Sequence, residues 1–158
     1  MRDDLLEHAR QREKLHEDHA SSRPLSPDYE VVGVSGEEAL ARFVGSRPDL
    51  ALRPGGDAGQ DQRVSLYING RVVSCRVDVK AARKPYNLIV EVGKVMADIY
   101  ILGRFDDATL ETELLGWATH LEVRNAPTKD FGYGVINHYM PARRLHDMGD
   151  FRKRIRPS

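Results

Sequence analysis

Asp61, Asp78 and Lys80 are two carboxylates and an ammonium, a set that can hold a hard divalent ion and steady a phosphate beside it. Mg²⁺ binds through one or two carboxylates together with water and phosphate oxygens, so few protein ligands are needed. Whether these three act together depends on the elements that carry them.

Asn69-Gly70 lies between two strand-like runs and predicts a two-residue hairpin turn. After the turn, Val73, Cys75, Val77 and Val79 alternate with Ser74, Arg76, Asp78 and Lys80, giving one apolar and one polar face. The turn fixes the register. With Ile68 opposite Arg71, Val64 meets Cys75 and Leu66 meets Val73 on one face. On the other, Ser65 meets Ser74, Arg63 meets Arg76, and Asp61 meets Asp78. Directly opposed side chains have Cβ atoms about 4.5–5.5 Å apart, where two carboxylates call for a shared proton or a cation. Lys80 lies two residues beyond Asp78 on the same face. The bland alternative is a strand-end Asp neutralised by Lys80 as a surface ion pair, or a bulge that breaks the register.

Upstream, residues 29–34 form a short apolar run leading to a helix start at Ser35. Ser35 and Glu38 have capping-box spacing, and Gly45 supplies the stop. Glu38 precedes Arg42 by one helical turn, a favourable pair. Glu37 shares the face of Leu40, Ala41 and Val44, which makes it the candidate third acid, with an edge-of-face Glu reaching solvent as the alternative.

The helix with Gly36-Glu37, the Gly-rich approach to Gln60-Asp61 and the strand ending Asp78-Val79-Lys80 resemble the PD-(D/E)XK nuclease superfamily. The likeness is to its small resolvase-like and restriction-endonuclease-like members, over residues 31–117. It implies an α/β fold, a mixed central β-sheet flanked by helices with a restriction-endonuclease-like core (αβββαβ). It also implies Mg²⁺, with Mn²⁺ able to substitute, held by Asp61, Asp78 and the carbonyl of Val79. Glu37 would support the metal or its water, and Lys80 would orient the attacking water or stabilise charge on the phosphate. The chain departs from the pattern in lacking Pro before Asp61 and in using Asp78 where many members have Glu.

Around this centre, Arg63, Arg76, Arg83, Lys84 and Lys94 are candidates for contacting the nucleic-acid backbone, against the alternative of ordinary surface charge. Thr119 and Glu122 repeat the capping-box spacing for a short helix, residues 97–105 and 111–118 read as paired strands, and residues 132–140 as a final strand. Trp117 and His138 read as structural.

Three regions follow from composition: an N-terminal helix and linker (1–28), a nuclease-like domain (29–142), and a basic C-terminal tail (143–158) with six basic and two acidic residues. That tail is either a solvated terminus or a phosphate-contacting arm. Across all 158 residues, 24 basic residues balance 24 acidic ones, so total charge makes no argument for nucleic acid. A mean hydropathy of −0.51 and the absence of a long apolar run argue against a membrane span. The lone Cys75 and the lack of a signal-peptide core suit a cytoplasmic location. The sequence thus leads to a Mg²⁺-dependent nuclease acting on DNA, possible as a homodimer and needing no organic cofactor. The competing expectation is a non-catalytic nucleic-acid-binding or assembly module on the same fold.

Overall fold

The computed structural model describes residues 29–45 and 62–155. The first element, helix α1 (Tyr29–Val44), starts six residues before Ser35. The run read as preceding the helix belongs to it because Val31, Val32 and Val34 are buried against Phe105. Burial of β-branched residues here outweighs their modest helix propensity. Ser35 is inside the helix and performs no cap; its Oγ contacts the Leu110 carbonyl at 3.2 Å and Thr112 Oγ1 at 2.9 Å.

The hairpin forms as the turn residues demand. Strands β1 (Gln62–Ile68) and β2 (Arg71–Ala82) pair antiparallel from Ile68↔Arg71 back to Gln62↔Val77, in the expected register. Asn69 and Gly70 both take positive φ, 50° and 77°, as a type I′ turn requires.

The chain continues through β3 (Asn87–Glu91), β4 (Ile99–Asp106), β5 (Glu111–Thr119), α2 (His120–Arg124), β6 (Thr128–Asp130) and β7 (Ile136–Pro141). A 3₁₀ turn (Ala142–Arg144) and α3 (Met148–Arg154) follow. The main sheet has the order β1-β2-β4-β5 and is mixed, with β2 parallel to β4 and the other pairs antiparallel. The crossover between the two parallel strands runs through β3 where the linear order αβββαβ has a helix. A second sheet, β3-β7-β6, is wholly antiparallel. No helix among the described residues is long and apolar enough to cross a membrane.

Each face of β4 is buried, which explains why it reads as a continuous apolar run. Ile99 and Ile101 join Val64, Leu66, Cys75, Val77, Trp117 and the helix residues Leu40, Met148 and Phe151 in one cluster. Tyr100 and Leu102 point the other way, onto Leu88 and Val90 of the second sheet. The stretch read as a basic tail therefore carries core anchors. Met148 and Phe151 are buried, and Ile155 bridges to Leu66 on the edge of β1, so residues 143–155 are part of the packed structure.

Residues 132–135, read as the start of the final strand, form a loop instead. Asp130 Oδ1 accepts from the backbone N–H groups of Gly132, Tyr133 and Gly134 at 2.7, 3.1 and 3.2 Å. Gly132 and Gly134 adopt positive φ, which ends the extended run.

A tight seam joins β5 to the chain before α3. Trp117 and His146 exchange backbone hydrogen bonds of 3.0 and 2.8 Å beside Gly116. A Cβ on Gly116 would lie 2.7 Å from Leu145 Cβ and 3.0 Å from the His146 carbonyl oxygen. Gly116→Ala should therefore destabilise the fold by about 1–3 kcal/mol, read as a lower thermal midpoint by circular dichroism.

The expected cap on α2 is present. Thr119 and Glu122 satisfy each other's backbone N–H groups at 2.9 and 3.2 Å, and Glu122 also holds His146 Nε2 at 2.8 Å. Burial pushes the Glu122 carboxyl up, but hydrogen bonds from the Thr119 backbone and the His146 ring together hold it below its ordinary value. A lowered folded-state pKa contributes stability that is complete above the unfolded value of about 4.3 and lost as pH falls through the folded one. With its side chain 37% exposed, Glu122 should contribute less than about 1 kcal/mol after solvent screening. Glu122→Gln should flatten the acid limb of a midpoint-against-pH curve below about pH 4.3 and lower the midpoint slightly at neutral pH.

Candidate metal and nucleic-acid site

Alternation along β2 separates its two faces. Val79 packs toward α1, where a Cβ on Gly36 would sit 3.1 Å from Val79 Cγ1. Asp78 and Lys80 therefore face the opposite side. Their side chains form an ion pair of 2.9 Å and keep 25% and 31% of their surface exposed. The structure thus brings together two of the residues singled out in the sequence, on a strand flanked by parallel β4. Asp78 is level with Tyr100 and Lys80 with Leu102, both buried beneath the second sheet.

Asp61 lies outside the described residues. Among the described residues, no group of three His, Cys, Asp or Glu side chains is placed to hold a metal ion. Glu37 is half-buried on α1, which packs on the Val79 side of the sheet, and its backbone carbonyl accepts from Gln62 Nε2 at 2.8 Å. The more deeply buried acid of this helix is its neighbour Glu38, 4% exposed, held by Arg42 at 2.6 Å. The early start of α1 puts Glu38, with Ser35, against β5. The expected Glu38–Arg42 pair is present, while Glu38's role as a capping partner is not.

The five basic candidates divide. Arg63 and Arg76 face each other across the β1–β2 ladder, on the same side as Asp78 and Lys80. Arg83 grips Asp107 with two hydrogen bonds of 2.7 and 2.9 Å and lies over the Phe105 ring. That grip holds the Asp107 carboxyl below its ordinary range. Lys94 pairs with Glu91 at 2.8 Å, and Lys84 is exposed on the loop after β2. The first two thus share the face of the acid–lysine pair, and Arg83 and Lys94 are engaged with local carboxylates.

Two residues that sequence reading passed over adjoin this face. Asp98 Oδ2 accepts from the backbone N–H of Arg76 at 2.8 Å, and the Asp98 N–H returns a bond of 2.9 Å to the Arg76 carbonyl. The parallel pairing of β2 with β4 creates that contact, and no local pattern announces it. Tyr67, 42% exposed, continues the face beyond Arg63; its odd-numbered position in β1 was the available signal.

Comparison of the chain with known protein families, curated proteins and solved structures found no match.

Proposed function

We propose that this protein is a metal-dependent nuclease hydrolysing phosphodiester bonds in DNA, on a restriction-endonuclease-like core. The observation that carries the reading is the Asp78–Lys80 pair, 2.9 Å apart on the half-exposed face of a strand within a mixed sheet. A carboxylate at the edge of solvent suits Mg²⁺, which keeps several waters and leaves room for phosphate oxygens. In this reading Asp78 and Asp61 hold the ion and Val79 adds its carbonyl, while Glu37, carried by α1 on the other side of the sheet, drops out of the site. Bound Mg²⁺ supplies charge that makes water a better nucleophile and offsets the phosphate's developing charge. Lys80 orients the attacking water or donates to a phosphate oxygen as negative charge accumulates there. Arg63 and Arg76 hold the neighbouring backbone phosphates.

The ion pair itself favours a second reading, a nucleic-acid-binding or assembly module without turnover, because Lys80 already balances the charge of Asp78. The test is incubation of the purified chain with single-stranded, duplex and branched DNA in Mg²⁺, Mn²⁺ or EDTA. Cleavage in either metal and none in EDTA supports the nuclease. Salt-sensitive, metal-independent binding without cleavage supports the module.

A further inference from the structure

On the α1 side of the main sheet, away from Asp78 and Lys80, the elements α1, β5 and α3 border a cavity of about 350 Å³. That size lies within the range of small-molecule sites. Phe43 and Leu114 supply apolar wall, and Glu38, Arg42, Glu111 and Arg152 supply the charged lining. Two guanidiniums balance two carboxylates, so the lining as a whole favours neither an anion nor a cation. Within it the pairing is uneven. Arg42 holds Glu38 at 2.6 Å and reaches one oxygen of Glu111 at 3.2 Å. The Glu111 side chain is 52% exposed and makes no other ion pair or side-chain hydrogen bond with a described residue. Arg152, from α3, makes no ion pair with any described residue; its guanidinium lies 4.0 Å from the centre of the Phe43 ring. Contact with a ring occupies the face of a guanidinium and leaves its in-plane N–H groups for an acceptor.

We propose that this cavity binds a free α-amino acid with an apolar side chain. Its carboxylate sits on Arg152, its ammonium on the second oxygen of Glu111, and its side chain against Phe43 and Leu114. Arg152 and Glu111 line one cavity without pairing with each other, and that arrangement complements a molecule carrying both charges. A simple anion would gain Arg152 and meet Glu111 as a like charge; a simple cation would meet Arg152. A zwitterion is neutral overall, as the lining is, and engages both groups. The site uses no metal and no residue of the Asp78–Lys80 face, so it stands apart from the nuclease reading. Its occupant would tie α3 to β5.

The test is isothermal titration calorimetry of the full chain with L-leucine, L-methionine and L-phenylalanine. N-acetyl-L-leucine and L-leucinamide serve as analogues that keep one charge each. At least one amino acid should bind and raise the thermal midpoint. Each single-charge analogue of leucine should bind about 10-fold or more weakly than leucine, the effect of losing one charge-assisted hydrogen bond. Arg152→Gln and Glu111→Gln should each weaken amino-acid binding by about 10-fold or more. Glu111→Gln should leave the weak binding of N-acetyl-L-leucine unchanged, and Arg152→Gln that of L-leucinamide, a split that a merely structural role would not give. Both positions are exposed, so circular dichroism should show folded variants, and Lys153→Ala should bind as wild type. Binding of none of the three amino acids, an analogue as tight as leucine, or wild-type affinity in either folded variant would overturn the site.

Discussion

Asp78→Ala should reduce metal-dependent cleavage of DNA to background, a loss of more than roughly 100-fold, given that even the outer partners of metal ligands are worth about 10–100-fold. Lys80→Ala should lower the turnover rate by about 10²–10³-fold, the usual consequence of removing a group that stabilises charge forming in the transition state. Neither change should unfold the protein. The two side chains keep 25% and 31% exposure, and an ion pair open to water contributes about 1 kcal/mol at most. Circular dichroism and thermal midpoints close to wild type would confirm that the variants are folded. The ion pair and the nuclease make opposite demands on conservative changes. Asp78→Asn keeps the size of the side chain but loses the charge that a cation needs, so cleavage should remain lost. Lys80→Arg keeps the charge but replaces a compact ammonium with a planar fork, so it should recover only part of the rate. Wild-type cleavage by folded Asp78→Ala protein would remove Asp78 from the chemistry.

The ladder around this pair was legible because its determinants are local. Asn69-Gly70 has a favourable route to two successive positive φ values, and alternation from Val73 to Lys80 then assigns every side chain to a face. Thr119 and Glu122 were legible for the same reason, since a capping box closes within one turn. The start of α1 was not, because β-branched Val31, Val32 and Val34 suit strand or helix until Phe105, distant in sequence, fixes the choice. The second sheet was hidden for a related reason. β3 pairs with β7 from Asn87↔Pro141 to Glu91↔Asn137, and nothing near either strand names its partner. For the site, reasoning from spacing found Asp78 and Lys80 and placed Arg63 opposite Arg76. It missed Asp98, which reaches Arg76 only through the parallel β2–β4 pairing, and it gave Arg83 and Lys94 a role without knowledge of Asp107 and Glu91.

The largest expected effect on stability lies in the segment whose composition resembled a solvated arm. Phe151→Ala should destabilise the protein by about 3–5 kcal/mol, the range for emptying a buried aromatic position. The side chain is 0% exposed, with ring centres 6.0 Å from Phe43 and 5.9 Å from Trp117. It thereby ties α3 to both α1 and β5. Its loss leaves a cavity that those rings can close only by moving the elements that carry them, so relaxation should recover little. Lys153→Ala is the matched control, an exposed position two residues away where the expected change is within about 0.5 kcal/mol. Chemical denaturation monitored by Trp117 fluorescence would measure both, since this tryptophan lies beside Phe151 and is the only one in the chain. A solvated arm would give near-zero changes for both variants, whereas a packed α3 separates them by several kcal/mol. The basic residues here are thus the outer surface of a helix whose inner surface is core. Phosphate contact through Lys153 and anchoring through Phe151 are compatible, because residues two apart use opposite sides of the same short helix.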